Sequence, residues 1–434
     1  MSGSTIDQRF VNTLVQKIRG FVRTDVSPFE NVANRSLSTR YFMGQSYGSL
    51  ALEGQEVEDH KILCELIAGY GNIGKKRDLK LIEESVNALI VKHLNQRFES
   101  DEAYNIAMQE TMEKLLTKVP LQTTYFPIPG LKIDSNIQLK IGMVELLPLT
   151  DALKSGICEH LKELEASSPG SSSGLPSFQK EWDASFREVS VARVESEVDQ
   201  GIAYELGRSF VEDALDFLAA TTPCFNGLRA PWFEIGPAPG VDKFLAVTTS
   251  KDGFSYKVDT KRGVVSTIIS CAAKERMKKT GQLSLLGMVG SAGLNQTEYR
   301  ILRSSKWLGR SLRTCSSAER FIFAVNAAES LFKKGSGAIT QTISDGLALI
   351  LRKDVTHRQE LSDNVRTLYE KRSKIVHGES LAIDDKDVYQ AQATVFDALS
   401  VVLLNVEKFR AISLDDWLAQ QRFGSAYDLT WPIT

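Results

Sequence analysis

The sequence predicts a mainly α-helical protein with a mixed α+β middle region and a C-terminal antiparallel helix bundle. Two patterns predict it. Apolar residues recur three or four positions apart through most of the first 118 residues and again from about 296 onward, whereas the stretch between alternates apolar and polar residues among Pro and Gly turns. A chain of 434 residues has room for two or three domains. With 42% hydrophobic and 24% charged residues and a formal net charge of -2, it is neither a disordered chain nor a wholly basic nucleic-acid coat.

Residues 1–120 read as an N-terminal helical region, because IDQRFVNTLVQKIRGF and LIEESVNALIVKHLNQRF carry helical spacing and strand signals are scarce. Residues 121–290 read as a mixed α+β region. It opens with TTYFPIPGLKIDSNIQLKIGMVELLPL, whose prolines, turn residues and alternating apolar positions suit short strands. The run SSPGSSSGLPS at 167–177 predicts a surface loop or linker. Beyond it, REVSVARVESEV alternates as a strand does, GIAYELGRSFVEDALDFLAA has helical spacing, and WFEIGPAPGVDKFLAVTTSKDGFSYKVDT reads as two or three strands.

Residues 291–434 read as a helical domain in which end signals delimit four helices. The first runs from Ser316 to Lys334, with Ser316 and Glu319 as a capping box and Gly335 beyond it. The second covers about Ala338 to Lys353. The third runs from Thr356, with Gln359 three residues on, to His377, and Gly378 is a left-handed terminator. The fourth begins near Asp384 and carries VFDALSVVLLNVEKF. Short links between them predict antiparallel packing.

The start, MSGSTIDQRF, lacks the apolar core of a secretion signal, and no run approaches the roughly 18 apolar residues of a membrane span, so a cytoplasmic protein with no membrane contact is expected. Five scattered cysteines, Cys64, Cys158, Cys224, Cys271 and Cys315, form no CxxC pair, and neither a disulfide framework nor a metal site is expected. The string Gly69-Tyr70-Gly71-Asn72-Ile73-Gly74-Lys75 superficially matches a phosphate-binding pattern. It follows helix-compatible HKILCELIAGY rather than a strand, which makes it an interhelical turn, and no cofactor is expected.

Charge is unevenly spread. Residues 301–378 hold 14 Lys and Arg against 7 Asp and Glu, whereas residues 379–434 hold 4 against 9. A basic region thus sits within a neutral chain, either as a solvated set of helix faces or as a surface for an anionic partner.

The third helix contains LSDNVRTLYEKRSKIVHG, with an apolar stripe of Leu361, Val365, Leu368, Ile375 and Val376. At about 100° per residue, Arg372 falls within that stripe. A guanidinium there requires a carboxylate, an interface or an anionic ligand, because an unpaired buried charge costs several kcal/mol. The best carboxylate is Glu329, in the otherwise apolar FIFAVNAAESLF of the first helix. His377 follows Arg372 by five residues, at a helix end that favours its protonated form. A histidine that exchanges protons near neutral pH and an arginine that stabilises phosphate charge are the minimum for metal-free cleavage of RNA. One histidine serves poorly as acid and base together, and two copies facing each other across a dimer supply both.

The same spacing joins Arg352 to His357, so spacing alone does not single out a site. Context does: YEKRSKIVHG resembles the R-x4-6-H signature of the HEPN superfamily (higher eukaryotes and prokaryotes nucleotide-binding), closest to its ApeA-like branch. The resemblance rests on Tyr369, Arg372, Ser373, Ile375, Val376, His377 and Gly378, and extends upstream through YRILRSSKWLGRS and AAESLF, over about residues 296–410. Ser373 departs from the Asn, Asp or His that many members carry after the arginine, and suits the ApeA-like branch.

The resemblance implies a four- or five-helix HEPN-like bundle that homodimerises and acts as a metal-independent endoribonuclease, often in anti-phage defence by abortive infection. It implies Arg372 and His377 as the catalytic pair, with Glu329 and Ser373 in support. On the residues themselves, Tyr369 could stack a base or pack in the core, and Lys371 and Lys374 could contact phosphate or complement a helix end. The N-terminal part is then expected to sense a phage-derived trigger or to restrain the nuclease. The alternative is a non-catalytic HEPN module that binds RNA or a nucleotide, or that only dimerises.

Overall fold

The computed structural model describes residues 6–21, 40–44, 48–52, 55–96, 101–167, 180–182, 186, 189–221, 233–235, 243–250, 253–260, 267–314, 316–332, 339–378, 383–424 and 427–431. The chain is mainly helical with a sheet in its middle and divides into two compact units. The first comprises Met1–Gln122, Ser196–Glu205 and Thr249–Asp252, and the second comprises Thr123–Glu195, Leu206–Thr248 and Gly253–Thr434. Most of the expected middle region thus shares a unit with the C-terminal helices, while its residues 196–205 and 249–252 belong to the first unit.

In the first unit, helices α1 (Gln8–Phe21), α2 (Gln55–Gly69), α4 (Leu79–Gln96) and α5 (Asp101–Leu116) share a core that includes Leu14, Ile67, Val86 and Met112. The glycine string is the turn expected of it: Gly71 and Asn72 take left-handed φ of 55° and 60° before the single turn α3 (Ile73–Lys76). Arg77 then donates to the Leu115 and Thr117 carbonyls at 2.9 and 2.8 Å, covering the end of α5, while Asp199 pairs with it at 3.0 Å. His60 is a core residue, bonded to Asn87 Oδ1 at 2.7 Å. Burial pushes the neighbouring Cys64 thiol up to about 12, so it is an inert packing group. One feature departs from the expected all-helical region: Arg40–Gly44 (β1) and Gly48–Leu52 (β2) pair as an antiparallel hairpin.

The second unit holds a six-stranded sheet of order β5-β6-β7-β3-β8-β9. Its strands are β3 (Gln122–Ile128), β5 (Leu139–Ile141), β6 (Val144–Pro148), β7 (Ser190–Ser196), β8 (Lys243–Ser250) and β9 (Gly253–Thr260), with β5–β6 and β6–β7 antiparallel. β4 (Leu131–Ile133) pairs in parallel with β10 (Thr267–Ile269). Helix α6 (Asp151–Ser167) contributes Ile157 and Leu161 to a core with Trp182, Phe186, Val191 and Val247. Of the expected loop at 167–177, Ser167 is the last residue of α6, and 168–177 lie outside the described residues. So do Gly335, Cys224 and Cys315.

Helix α7 (Gln200–Thr221) leads past the last strands to α8 (Cys271–Lys279), α9 (Gln282–Met288) and α10 (Gln296–Arg313). Then come α11 (Ser317–Phe332), α12 (Ile339–Leu351), α13 (Val355–Val376), α14 (Asp385–Leu404), α15 (Val406–Ala411) and α16 (Leu414–Arg422). Four of these correspond to the four expected helices, with ends within a few residues. Asp354, not Thr356, caps α13, accepting from His357 N at 3.2 Å. Gly378 has the expected positive φ, 83°. The long α10 is additional to those four. Asn295 and Glu298 close a full capping box at its start, with both bonds at 2.9 Å, a pattern legible as N-x-x-E.

Helix α10 lies against α11 and α14 and is bound to α7 by charge. Lys306 pairs with Asp213 at 2.6 Å, and Arg310 with Asp216 at 3.0 Å. Arg313 reaches Asp216 at 2.7 Å and Glu212 at 2.8 Å. The helices approach so closely here that a Cβ on Gly309 would stand 1.8 Å from the Asp216 carbonyl oxygen. We expect Gly309→Ala to cost about 1–3 kcal/mol or more by forcing the helices apart. Gly287→Ala, where a Cβ meets open space, should be neutral or stabilising in the same thermal melt.

Burial pushes the Asp216 carboxyl up to about 6 from its ordinary 3.8, an effect that Arg313 and Arg310 only partly offset. The folded chain therefore holds that proton more tightly than the unfolded one. Its contribution to stability is complete below the unfolded value and is lost as pH rises through about 6. The drop in unfolding free energy from about pH 4.5 to about pH 7 should be smaller in Asp216→Asn than in the parent, and equal drops would contradict the shift.

Candidate active site

Helix α13 is oriented by Val365 and Leu368, both buried, of which Leu368 joins Phe321, Ala324 and Val325 of α11 and Val388 and Ala391 of α14 in one core. Tyr369 and Ile375 pack partly buried against that core, whereas Val376, expected in the apolar stripe, is 52% exposed because the helix ends there. One turn beyond Leu368, the same face carries Arg372. Tyr369 and Arg372 on α13, three residues apart, thus meet Asn326 and Glu329 on α11, also three apart.

The Tyr369 hydroxyl donates to Glu329 Oε1 at 2.6 Å. Arg372 Nη2 lies 3.4 Å from the same oxygen and donates to Asn326 Oδ1 at 3.4 Å. The guanidinium carbon stands 5.8 Å from the Tyr369 ring centroid, within cation–π range. The Arg372 and Glu329 side chains are 24% and 17% exposed, so the carboxylate demanded by the sequence is the one that answers. Arg372 Nε is buried without an acceptor among the described residues. Burial, followed by the bond to the Glu329 carboxylate, pushes the Tyr369 phenol up to about 12, which keeps it a neutral donor.

His377 caps the C-terminus of α13, its backbone N–H donating to the Ser373 carbonyl at 3.1 Å. Its ring is exposed and makes no hydrogen bond or ion pair among the described residues. The structure therefore brings Tyr369, Arg372 and Glu329 together and leaves His377 facing solvent at the end of the same helix. Ser373 is half-buried between them along the chain.

The two lysines differ. Lys371 holds both oxygens of Asp387 on the first turn of α14, at 2.6 and 2.7 Å, an interhelical ion pair. Lys374 is exposed and carries no ion pair among the described residues. Tyr369, with its hydroxyl on Glu329 and its ring against the core, is packed rather than presented to a base. The competing pair is ordinary surface: Arg352 donates to its neighbour's carbonyl and His357 pairs with Asp354 at 3.2 Å.

Half of the basic region's cations are paired with acids. Of its 14 cations, Lys306, Arg310, Arg313, Arg320, Arg366, Lys371 and Arg372 all lie within ion-pair distance of a carboxylate. Among the described residues, no group of three His, Cys, Asp or Glu side chains converges as metal ligands, and no helix is long and apolar enough to cross a membrane. Sequence reasoning missed two residues here, Asn326 and Asp387. Asn326 sits one turn before Glu329, but Asp387 reads from sequence only as first-turn acid of α14. No protein-family model, no curated protein and no solved structure matches the chain.

Removing Glu329 should leave a half-buried guanidinium unpaired. We expect Glu329→Ala to lower the unfolding free energy by about 1–3 kcal/mol in urea, and the Glu329→Ala/Arg372→Met double variant to recover most of it. Strictly additive losses would contradict the coupling.

Proposed function

We propose that the protein is a metal-independent endoribonuclease of the HEPN type, with Arg372 and His377 as its catalytic residues. The observation that carries this reading is the contrast within one helix end: an arginine fixed by a carboxylate, an amide and an aromatic ring, followed by an exposed histidine with no internal partner. Glu329 and Asn326 restrain Arg372 through Nη2, and Nη1 makes no hydrogen bond among the described residues. A fixed donor of that kind stabilises charge on a phosphate without reorganising in the reaction.

In the proposed reaction the neutral His377 ring takes the proton of the ribose 2′-hydroxyl, the 2′-oxygen attacks phosphorus, and the P–O5′ bond breaks. The 5′-oxygen leaves with a proton from a second, protonated histidine, giving a 2′,3′-cyclic phosphate. A second copy of the chain, docked through its HEPN bundle, supplies that histidine. Ser373 assists at the phosphate, and Lys374 attracts the backbone nearby. On this reading the protein works in the cytoplasm in defence against phage, with the N-terminal part restraining it until a phage-derived trigger arrives.

The pairing of Lys371 with Asp387 and of Arg372 with Glu329 favours one other reading, a non-catalytic module in which these cations brace helices. The full chain incubated with total RNA in EDTA separates the two. We expect cleavage by the parent and a loss of about 100-fold or more in His377→Ala and Arg372→Ala variants whose circular dichroism is unchanged. Equal cleavage by parent and variants would overturn the assignment, and RNA that is bound but never cut would favour the bracing module.

A further inference from the structure

We propose that the cleft between the first half of α10 and the end of α11 is a subsite for single-stranded RNA, in which Tyr299 stacks an unpaired base and Arg303 meets a phosphate. The identity of the ligand rests on the reading of the Arg372 site above. The cleft itself rests on geometry: a space of about 360 Å³ lined by Gln296, Tyr299, Arg300, Arg303, Glu329 and Ser330.

The four α10 residues recur at i, i+3, i+4 and i+7, so a single face of that helix forms one wall. Their roles divide by burial. Arg300 is 10% exposed, and its guanidinium is held by both oxygens of Asp415 at 2.8 and 3.2 Å, which makes it part of the wall rather than a binding group. Tyr299 is 61% exposed, an aromatic ring offered to solvent at the mouth of a polar cleft. Arg303, one turn further on, is exposed as well.

Arg303 is also the single basic residue of α10 without an acidic partner among the described residues. Arg300 meets Asp415, Lys306 meets Asp213, and Arg310 and Arg313 meet Asp216. On a helix whose other cations are compensated, the remaining one stands beside the exposed ring. Glu329, on the opposite wall, does not repel an anion as a bare carboxylate would. It already accepts from Tyr369 and lies 3.4 Å from Arg372. Through that residue the cleft and the Arg372 site share a wall, and a strand whose phosphate lies at Arg372 has a neighbouring place for a flanking nucleotide.

An exposed ring and a free guanidinium at i, i+4 suit a strand whose bases are unpaired, since a duplex offers no base face to stack. The test uses the full chain and a fluorescent 2′-O-methyl oligoribonucleotide, which binds but cannot be cut, read by anisotropy over a salt series. We expect Tyr299→Ala to weaken binding by about 5- to 100-fold with an unchanged salt slope, and Tyr299→Phe to bind as the parent does. Arg303→Ala should weaken binding and lower the salt slope by about 0.7, the release expected for one phosphate contact on a single strand. The same oligomer annealed to its complement should compete poorly.

Each result decides. Binding that depends on both side chains, even if ordinary RNA is never cut, supports the subsite while the nuclease reading falls. Cleavage of ordinary RNA with oligomer binding unchanged in both variants overturns the subsite and leaves the nuclease reading standing. No binding by the parent, or equal affinity for the duplex, also overturns it.

Discussion

Charge compensation along α10 is the constraint around which the second unit is arranged. A long helix with five basic residues cannot pack on three sides unless each inward guanidinium or ammonium finds a carboxylate, because desolvating an unpaired ion costs more than apolar contact returns. Asp415, Asp213, Asp216 and Glu212 supply those carboxylates from α16 and α7. Glu298, buried at the helix start, closes the capping box and pairs with Arg410 at 2.8 Å. With α10 held, α11 is set beside it by the bond of Ser304 Oγ to the Ala327 carbonyl at 2.8 Å, and Glu329 is thereby placed half a turn further along.

The candidate site inherits its geometry from that chain of placements. α11 presents Asn326 and Glu329 on one edge, α13 presents Tyr369 and Arg372 on the edge that faces it, and the core of Phe321, Leu368 and Val388 keeps the two in register. Lys371 fixes the start of α14 from the neighbouring position on α13. The end of α13 then carries one exposed imidazole, His377, with no partner among the described residues. In the proposed reaction, a cation already held in place beside the histidine stabilises phosphate charge without reorganising.

Much of this was legible in the residues. The apolar context of FIFAVNAAESLF left Glu329 as the partner for a guanidinium that fell in an apolar stripe, and those two side chains do meet. Gly378, the start of α14 at Asp384, and strands β3, β6 and β7 were also readable, because local turn chemistry and periodicity decide them. What escaped depends on partners distant in sequence. Nothing local reveals that Asp387 lies across from Lys371, and the choice between stacking and packing for Tyr369 depends on how α13 is rotated. α10 escaped for a different reason: its Asn295–Glu298 box is local and readable, but its polar sequence has few apolar positions to mark a core helix. The β1–β2 hairpin, RYFMG and GSLAL, is too short for alternation to show.

In the proposed reaction a ribose 2′-oxygen attacks the phosphate with no metal ion, and the ends of the products record it. Mass spectrometry of fragments from a defined oligoribonucleotide cut by the full chain in EDTA would read both ends at once. Attack by the 2′-oxygen leaves a 2′,3′-cyclic phosphate on one fragment and a 5′-hydroxyl on the other. Fragments with a 3′-hydroxyl and a 5′-phosphate, the mark of attack by water, would contradict it.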